Sequence, residues 1–504
     1  MSKGTEPKEV ELNELDQEKQ PMTAETPTDS EKNGCVKVKV AEDAEVKFTG
    51  LSKEELMRVA GTTGWVRIRW ILLVLFWLGW VGMLAGAVVI IVQAPRCKPI
   101  PDMQWWNEGP LYKISDLNAF SGDKGIKGVE EKLDSLNQLK VKGLILGPIH
   151  SVQVDQLATL DLKTINPEVG EEKDLDSLLE RAHKKGISIV LDLTPNYNRT
   201  LAWFSNAAAV AEKLRDACAY WRHKGVDGFL LSDLHQIASV HTWQSIRDVV
   251  QANTTEGTKK TALIGSVTSL PVDAVSQLLN KSEVDLLLIG LPSLVHSGVD
   301  HALAVNQLYS SHPQTSLGWS LTPLISTFEA MPIRLHHMLL FTLPGTPVFT
   351  TGVEVGLKKG VSGDGWLDES LHVIWDLENL ADENNKTAKI VRAERGEVRG
   401  FFKTLSDLRG KERALLHGDY IPLHSATFSF AFLRLWDQSE RFITALNWGD
   451  VPVTMMFSNN DLPAEARVRL STDAEKIAVD KMVLLDKLEL EPKQAILLSY
   501  PYAG

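Results

Sequence analysis

The sequence predicts an α/β fold: a closed (β/α)8 TIM barrel, with one transmembrane helix before it and an antiparallel β-sandwich domain after it. Eight short apolar runs recur between residues 111 and 352, with helix-like stretches between them. A 22-residue segment near residue 80 contains no charged residue and no proline. From about residue 395 the pattern changes to alternating stretches such as "FSFAFLRLW". These three observations predict the three structured parts of the chain.

The eight apolar runs predict the strands of the barrel. Continuous apolar runs indicate strands that are covered on both faces, as in parallel sheets. Eight runs that alternate with helix-like stretches fit a closed barrel. The runs cover residues 111–114, 141–149, 187–195, 226–232, 262–267, 284–292, 317–321 and 347–352.

Composition divides the chain into five parts. Residues 1–50 are rich in Glu, Lys, Thr and Pro, with Phe48 as their only aromatic residue, so this tail cannot bury enough apolar surface to fold. The stretch "FTGLSKEELMRVAG" then predicts either a short helix capped by Ser52 or a fraying turn. The predicted parts are a largely disordered cytosolic tail (1–70), a transmembrane helix (71–92), a linker (93–104), a barrel domain (105–394) and a β-domain (395–504).

The segment Ile71–Val92 predicts a signal anchor embedded in membrane lipid. Its 22 residues span roughly 33 Å as a helix, which is enough for the hydrocarbon core of a bilayer. It follows a polar tail and lacks a small-residue cleavage site, so we expect it to be retained. The 20 residues before it carry four Lys or Arg, and the 20 after it carry two. The positive-inside rule therefore predicts a single-pass type II protein with a cytosolic N-terminus.

Four N-x-[ST] sequons agree with this orientation. They lie at Asn198, Asn253, Asn280 and Asn385, all on the predicted outer side and none in the tail. A single sequon is a weak signal because such triplets arise by chance. Four on one side predict an extracellular glycoprotein, with chance accounting for about one of them.

Charge and cysteine content exclude several classes of function. The net charge of −12 argues against a nucleic-acid partner, because no basic face is implied. Three cysteines are too few for a disulfide-stapled fold and lack the spacing of metal ligands. The sequence therefore predicts no metal and no cofactor.

Three motifs carry a resemblance to the α-amylase family of glycoside hydrolases, from about Trp105 to the C-terminus. The stretch "DLTPNY" at Asp192–Tyr197 resembles the third-strand motif of that family, and "GVDGF" at Gly225–Phe229 resembles the fourth. "FTLPGTPVFTTGVEVG" at Phe341–Gly356 resembles the eighth strand and its loop. "FFKTLSDLRGKERALLHGDY" resembles the link into the family's C-terminal β-domain.

The catalytic positions that this resemblance implies hold other residues. Glycosidases of this kind need two carboxylates, a nucleophile and a general acid, across the scissile bond. Ser232 stands at the nucleophile position and Ser266 at the general-acid position. Asp233 is one residue away and should point off the barrel axis, since alternate strand residues face opposite sides. A local bulge that redirects Asp233 is the alternative.

The other motif positions agree with an inactive site. The seventh-strand His-Asp pair is absent from "LGWSLTP", and Tyr197 replaces a substrate-binding His. Asp192 and Asn196 survive, and both are more often structural in this motif. Only 40 positions separate Asp192 from Ser232, which leaves no room for the family's calcium-binding subdomain. We therefore expect no enzymatic activity and no amylase-type calcium site.

A membrane anchor followed by an inactive amylase-like domain resembles the heavy chains of heteromeric amino-acid transporters. The similarity extends through "VELNELDQEKQP", "FTGLSKEEL", "AGAVVIIVQAPRCK" and "LFTLPGTPVF". It favours the widely expressed type over the kidney type, whose catalytic motifs are better preserved. The resemblance implies a plasma-membrane subunit that brings a polytopic light chain to the cell surface. The implied partners are light chains for large neutral, cationic/neutral or cystine/glutamate exchange, and β-integrins.

Residues near the membrane are compatible with such a subunit. One span offers no inverted repeat, so this chain alone cannot form a transport path. Cys97 follows the span by five residues, in an oxidising compartment where a partner's loop can reach it, and is predicted to form the interchain disulfide. Cys35 should stay reduced in the cytosol. Cys218 should be a buried thiol, and an intrachain Cys97–Cys218 bridge is the alternative.

The span also carries a stripe of small residues. Gly79, Gly82 and Gly86 recur on one helix face and can seat a partner helix, although glycines are common in membrane helices.

Two other functions stay open from the sequence. An active glucosidase would need Asp233 and a distant carboxylate such as Glu354 to meet. A carbohydrate-binding or adhesion receptor would need aromatic platforms at the strand ends, for which Trp203 and Trp319 are the candidates.

Overall fold

The computed structural model describes residues 52–93, 98–151, 156–197, 203–252, 259–268, 270–291, 297–320, 331–356, 386–457 and 462–502. The chain divides into two compact units, residues 1–95 and residues 96–504.

Two helices lie in the described part of the first unit, residues 52–93. Helix α1, Lys53–Ala60, begins with a capping box, in which the Glu55 amide donates to the Ser52 hydroxyl and the Glu55 carboxylate accepts from the Ser52 amide. The predicted cap is therefore present. Helix α2, Thr63–Gln93, is the one helix in the described part of the chain that is long and apolar enough to cross a membrane. It begins at Thr63, eight residues before the predicted span, so the helix includes residues on the N-terminal side of the apolar segment. Its 31 residues extend about 46 Å.

Eight parallel strands form a closed barrel in the second unit. Each strand pairs with the next, and β1 pairs with β8 to close the ring. Each strand lies within its predicted apolar run, except that β8 begins one residue earlier, so the predicted TIM barrel is confirmed. The strands are β1 Leu111–Ile114, β2 Gly143–Leu146, β3 Ser188–Asp192, β4 Gly228–Leu231, β5 Ala262–Val267, β6 Leu286–Gly290, β7 Leu317–Ser320 and β8 Thr346–Thr350.

Amphipathic helices surround the barrel. In α6, for example, Leu175, Leu178, Leu179 and Ala182 recur at helical spacing and are buried. The helices are α3 Leu117–Ser121, α4 Gly125–Glu131, α5 Leu133–Gln138, α6 Glu172–Lys184, α7 Ala207–His223, α8 Trp243–Val250, α9 Val272–Ser282, α10 Gly298–Ser311 and α11 Ile333–Thr342.

Alternate strand residues fill the inside of the barrel. One buried cluster consists of the strand side chains that point toward the barrel axis. Trp105 and Trp106 extend this cluster at the end of the barrel where the strands begin. The strand members are Leu111, Ile145, Val190, Leu230, Ala262, Ile264, Leu286, Leu288 and Val348. Because strand side chains alternate, the residues two positions further along these strands point into the mouth where the strands end.

A β-domain follows the barrel. Helices α12 Lys386–Lys411 and α13 Arg413–His417 lead into it, so the predicted boundary at 394/395 falls inside α12 and the first strand begins at Asp419. Its strands are β9 Asp419–Ala426, β10 Ser429–Leu435, β11 Arg441–Asn447, β12 Val453–Met455, β13 Glu465–Ser471, β14 Met482–Leu484, β15 Leu488–Leu490 and β16 Gln494–Tyr500.

The β-domain consists of two antiparallel sheets. Six strands pair in the order β14-β13-β16-β11-β10-β9, and β12 pairs with β15. One face of the large sheet shares a buried cluster with the small sheet, through residues such as Leu433, Ile443 and Leu488. The opposite face, with Phe430 and Phe432, belongs to the main core of the barrel.

Candidate functional site

The mouth of the barrel is the place where a glycosidase would hold its carboxylates. Leu230 lies in the inward cluster, so Ser232, two residues on, points toward the mouth. The Ser232 amide donates to the Thr194 hydroxyl at 3.1 Å, and its carbonyl accepts from the Trp203 indole at 2.9 Å. These contacts fix the backbone at the end of β4. Ser266 occupies the corresponding inward position on β5, two residues after Ile264.

Asp233 turns away from the strand direction. Its backbone is left-handed, with φ at 51°, so the chain leaves the direction of β4 two residues after that strand ends at Leu231. The pairing of β4 runs through Leu230 with β3 and through Leu231 with β5, without a register shift, so the described strand contains no bulge that could redirect Asp233. The Asp233 carboxylate instead accepts from the Thr268 hydroxyl at 3.4 Å.

Asp192 is the carboxylate that β3 brings to the mouth, and its oxygens are already engaged. One oxygen lies 3.1 Å from the Lys113 ammonium at the end of β1. The other accepts from the Thr194 hydroxyl and, at 3.0 Å, from the Thr194 amide. Asp192 is buried, and Lys113 is 22 % exposed. A carboxylate held this way neutralises a partly buried cation, which is a structural role.

His150 lies beside this pair and was not singled out from the sequence. It follows the end of β2 by four residues, and its buried ring packs edge-to-face on Tyr197 with the centroids 5.6 Å apart. The Tyr197 hydroxyl donates to the His150 carbonyl at 3.0 Å. Desolvation lowers the pKa of His150 to about 4, against the opposing charge of Asp192. Asn196 is buried in the same motif, whereas Tyr197 is exposed.

Glu354 lies on the other side of the barrel wall. It follows β8 in a short turn, is fully buried, and lies next to Tyr112. Tyr112 alternates with the inward residues Leu111 and Lys113, so it points outward into the helical layer. Burial raises the pKa of the Glu354 carboxyl. This position does not bring Glu354 to Asp233, as an active glucosidase would require.

The two candidate aromatic platforms are core residues. Trp203 is 3 % exposed and Trp319 is 1 % exposed. The Trp319 indole donates to the Pro344 carbonyl, and the Trp203 indole is bonded to Ser232. Neither ring presents a face on which a sugar could stack, so of the two interpretations that the sequence left open, platform or core, the core interpretation is correct.

The remaining predicted sites fall in different places. Cys97, Asn198, Asn253 and Asn385 lie outside the described residues. Asn280 is exposed near the end of α9.

The predictions for Cys218 and for the glycine stripe of α2 concern described residues. Cys218 on α7 is a free, fully buried thiol, and burial raises its pKa. A Cβ added at Gly79, Gly82 or Gly86 would meet no atom within 4 Å, so this face of α2 is open within the chain.

Two family models match the chain in succession. The model "Solute carrier family 3 member 2 N-terminus" matches residues 36–112, and "Alpha amylase, catalytic domain" matches residues 113–245. The rat protein "Amino acid transporter heavy chain SLC3A2" is 43 % identical over 536 residues, which cover 100 % of both chains. The human "Amino acid transporter heavy chain SLC3A1" is 22 % identical and covers 85 % of this chain and 82 % of its own.

Solved structures agree with the architecture. A debranching enzyme from Nostoc punctiforme superposes with a TM-score of 0.59 at 18 % identity, covering 79 % of this chain and 100 % of that one. An isomaltulose synthase from Klebsiella sp. LX3 superposes with a TM-score of 0.60 at 17 % identity, covering 80 % and 100 %. At this identity the similarity concerns the fold alone.

The long apolar helix and the barrel together define a membrane protein that carries a domain with a glycosidase-like fold. The full-length similarity is more specific. The chain belongs to the family of amino-acid transporter heavy chains, and it is more similar to the SLC3A2 type than to the SLC3A1 type. The predicted preference between the two types is therefore confirmed.

Proposed function

We propose that this chain is the non-catalytic subunit of a heteromeric amino-acid transporter. It stabilises a polytopic light chain, forms a disulfide with it through Cys97, and brings it to the plasma membrane for amino-acid exchange. The observation that carries the proposal is the 43 % identity to named heavy chains over the full length. Large neutral, cationic/neutral and cystine/glutamate exchangers are the candidate light chains.

The residues at the described mouth support the proposed lack of catalysis. Retaining glycosidases hold two carboxylates about 5 Å apart. The inward ends of β4 and β5 carry Ser232 and Ser266, and Asp192 on β3 is paired with Lys113. A serine without a base cannot replace the nucleophile, and no described carboxylate joins Asp192 at these strand ends. Maltose hydrolysis by the purified chain should stay at the buffer rate.

The membrane arrangement completes the proposal. Helix α2 spans the bilayer with the N-terminus in the cytosol, so the barrel and β-domain lie outside the cell. Gly79, Gly82 and Gly86 let a helix of the light chain approach the α2 backbone closely. Association with β-integrins is a further proposed role of the same subunit.

The disulfide can be tested directly in cells. The full chain and the Cys97→Ser variant are each expressed with a light chain for large neutral amino acids and compared on reducing and non-reducing gels. We expect a high-mass band that contains both subunits, disappears on reduction and is absent in the variant. A wild-type chain that runs as a monomer under both conditions would overturn the covalent link. Cys218→Ser serves as the matched control, since this buried thiol should not affect the band.

A further inference from the structure

Helix α9 places the two essential residues of one sequon on opposite sides of the helix. The sequon, Asn280 to Ser282, forms the last three residues of α9. Asn280 is exposed, whereas Ser282 is fully buried. Residues two apart in an α-helix do not share a face, so this separation follows directly from helix geometry. In the folded chain the asparagine amide and the serine hydroxyl therefore lie in different environments.

Several contacts hold this end of α9 in place. The Trp243 indole of α8 donates to the Ser282 carbonyl at 3.0 Å. The Lys281 ammonium donates to the Ser239 hydroxyl at 3.0 Å, and Leu279 on the same turn is buried. Exposure of Ser282 therefore requires the last turn of α9 to separate from α8.

The fold alone does not explain the hydroxyl of Ser282. Among the described residues this buried hydroxyl has no hydrogen-bond partner. A buried polar group without a partner lowers the stability of the folded state. The hydroxyl is, however, the group that makes this tripeptide a sequon, because N-glycosylation requires Ser or Thr two residues after the asparagine.

Glycosylation of Asn280 needs both side chains at one active site. In that reaction the amide nitrogen of Asn280 forms a bond to the anomeric carbon of a lipid pyrophosphate-linked oligosaccharide. The lipid pyrophosphate leaves with the electrons of the broken bond, and the amide gives up one proton to a base. Because the transferase recognises the hydroxyl as well as the amide, it cannot use a sequon whose Ser282 hydroxyl is buried.

We propose that Asn280 accepts its glycan only before the end of α9 docks on α8, so that modification of this site competes with folding of the barrel. Once attached, the glycan lies on the exposed side of α9 and leaves the docked face free. In cells the reaction also needs the extracellular location of the barrel that is part of the proposed function.

The test uses purified components and does not depend on where the chain is located in cells. The full chain is made in bacteria that lack N-glycosylation, purified in detergent, and incubated with an oligosaccharyltransferase and its lipid-linked donor. The fraction modified at Asn280 is followed over time by mass spectrometry of the glycopeptide. A peptide of residues 275–285 is the unfolded reference.

Two substitutions separate local opening from general destabilisation. Trp243→Phe removes the hydrogen bond to the Ser282 carbonyl and keeps a buried aromatic ring. Trp221→Phe is the matched control, since that indole, on α7, donates to the Leu162 carbonyl at 2.8 Å.

We expect the folded wild-type chain to be modified at least about 100-fold more slowly than the peptide, because the reaction waits for local opening. Trp243→Phe should react about fivefold faster than wild type, and Trp221→Phe at the wild-type rate. Equal rates for folded chain and peptide, equal rates for the two tryptophan variants, or a peptide that is not a substrate would each overturn the inference. Failure of the proposed function would appear as a missing disulfide with the light chain and would leave these rates unchanged.

Discussion

The ammonium of Lys113 lies 3.1 Å from the carboxylate of Asp192, and this ion pair joins the ends of β1 and β3 at the barrel mouth. Asp192→Ala leaves Lys113 without its partner in a site that is 22 % exposed. We expect a loss of about 2 kcal/mol in the free energy of unfolding, less than for a fully buried pair. Denaturant unfolding of the purified full chain measures it.

Two further variants separate charge imbalance from lost packing. Lys113→Met combined with Asp192→Leu should recover most of the lost stability, because no unpaired charge then remains. Glu180→Ala, which breaks an exposed pair with Lys184, should change stability by less than about 0.5 kcal/mol. If Asp192→Ala is as harmless as Glu180→Ala, the ion pair has no structural role.

Arg434 connects the β-domain to the barrel. It is fully buried on β10 and donates to the carbonyl of Thr342 at 2.7 Å, at the end of α11, and to that of Gly418 at 2.8 Å. Carbonyls at a helix end lack partners within the helix, and a cation there is favourable. Arg434→Met leaves both carbonyls unpaired, which should cost about 3 kcal/mol. Thermal unfolding should show this loss, while the exposed Arg467→Met should stay close to wild type; equal midpoints for the two variants would contradict the assignment.

The sequence predicted the repeating parts of this molecule and missed the contacts between distant parts. The barrel strands could be located because a buried parallel strand leaves a continuous apolar run. The alternation of side chains along β4 predicted that Ser232 points inward, because the side of a strand that a residue faces depends only on local backbone geometry. Arg434 carries no such signal, because its partner on α11, Thr342, lies 92 residues earlier in the chain.

The same limit applies to the candidate sites. Nothing in the sequence around Lys98 indicates that its ammonium will lie next to the Asp419 carboxylate and the Trp436 ring. Trp203 and Trp319 were interpreted as possible platforms because aromatic residues near strand ends fit either a binding face or a core. Only the packing of the surrounding elements decides between the two, and here it buries both rings.

Gly298 permits a close approach between α10 and the β-domain. A Cβ at this position would come within 2.4 Å of the Ser429 carbonyl oxygen and 2.5 Å of the Ala426 carbonyl oxygen. Backbone atoms cannot move aside as a flexible side chain can, so Gly298→Ala should cost about 1–3 kcal/mol. Gly400→Ala on α12, where a Cβ meets nothing within 4 Å, should be neutral or stabilising. Thermal unfolding of both variants makes the comparison, and a Gly298→Ala protein as stable as Gly400→Ala would contradict it.

Asn280 tests the predicted glycosylation within the described structure. Its side chain is exposed on α9, where a glycan can be accommodated without displacing the core. Asn280→Gln should lower the apparent mass of the cell-expressed chain by one glycan, with the difference removed by an amidase that releases N-glycans. Asn306→Gln, an exposed asparagine outside any sequon, should leave the mass unchanged. Identical mobility of wild type and Asn280→Gln would show that this sequon is not used.

His337 should make the protein less stable in acid. It is fully buried, and its Nε2 donates to the Val353 carbonyl at 3.0 Å, while desolvation lowers its pKa from 6.5 to about 4. The unfolded chain therefore binds this proton more readily than the folded one. The contribution of His337 to the free energy of unfolding is therefore fully present above pH 6.5. It is lost as the pH falls toward 4, by up to about 3 kcal/mol.

The expected pH dependence can be assigned to His337 by substitution. His336 also has its pKa lowered by burial, to about 3, so a single histidine should account for only part of the acid sensitivity. In His337→Gln, the fall in unfolding free energy between pH 6.5 and 4 should be smaller than in wild type, whatever the substitution costs at neutral pH. His223→Gln, an exposed histidine at the end of α7, should keep the wild-type pH dependence. An unchanged slope in His337→Gln would mean that other groups cause the acid sensitivity.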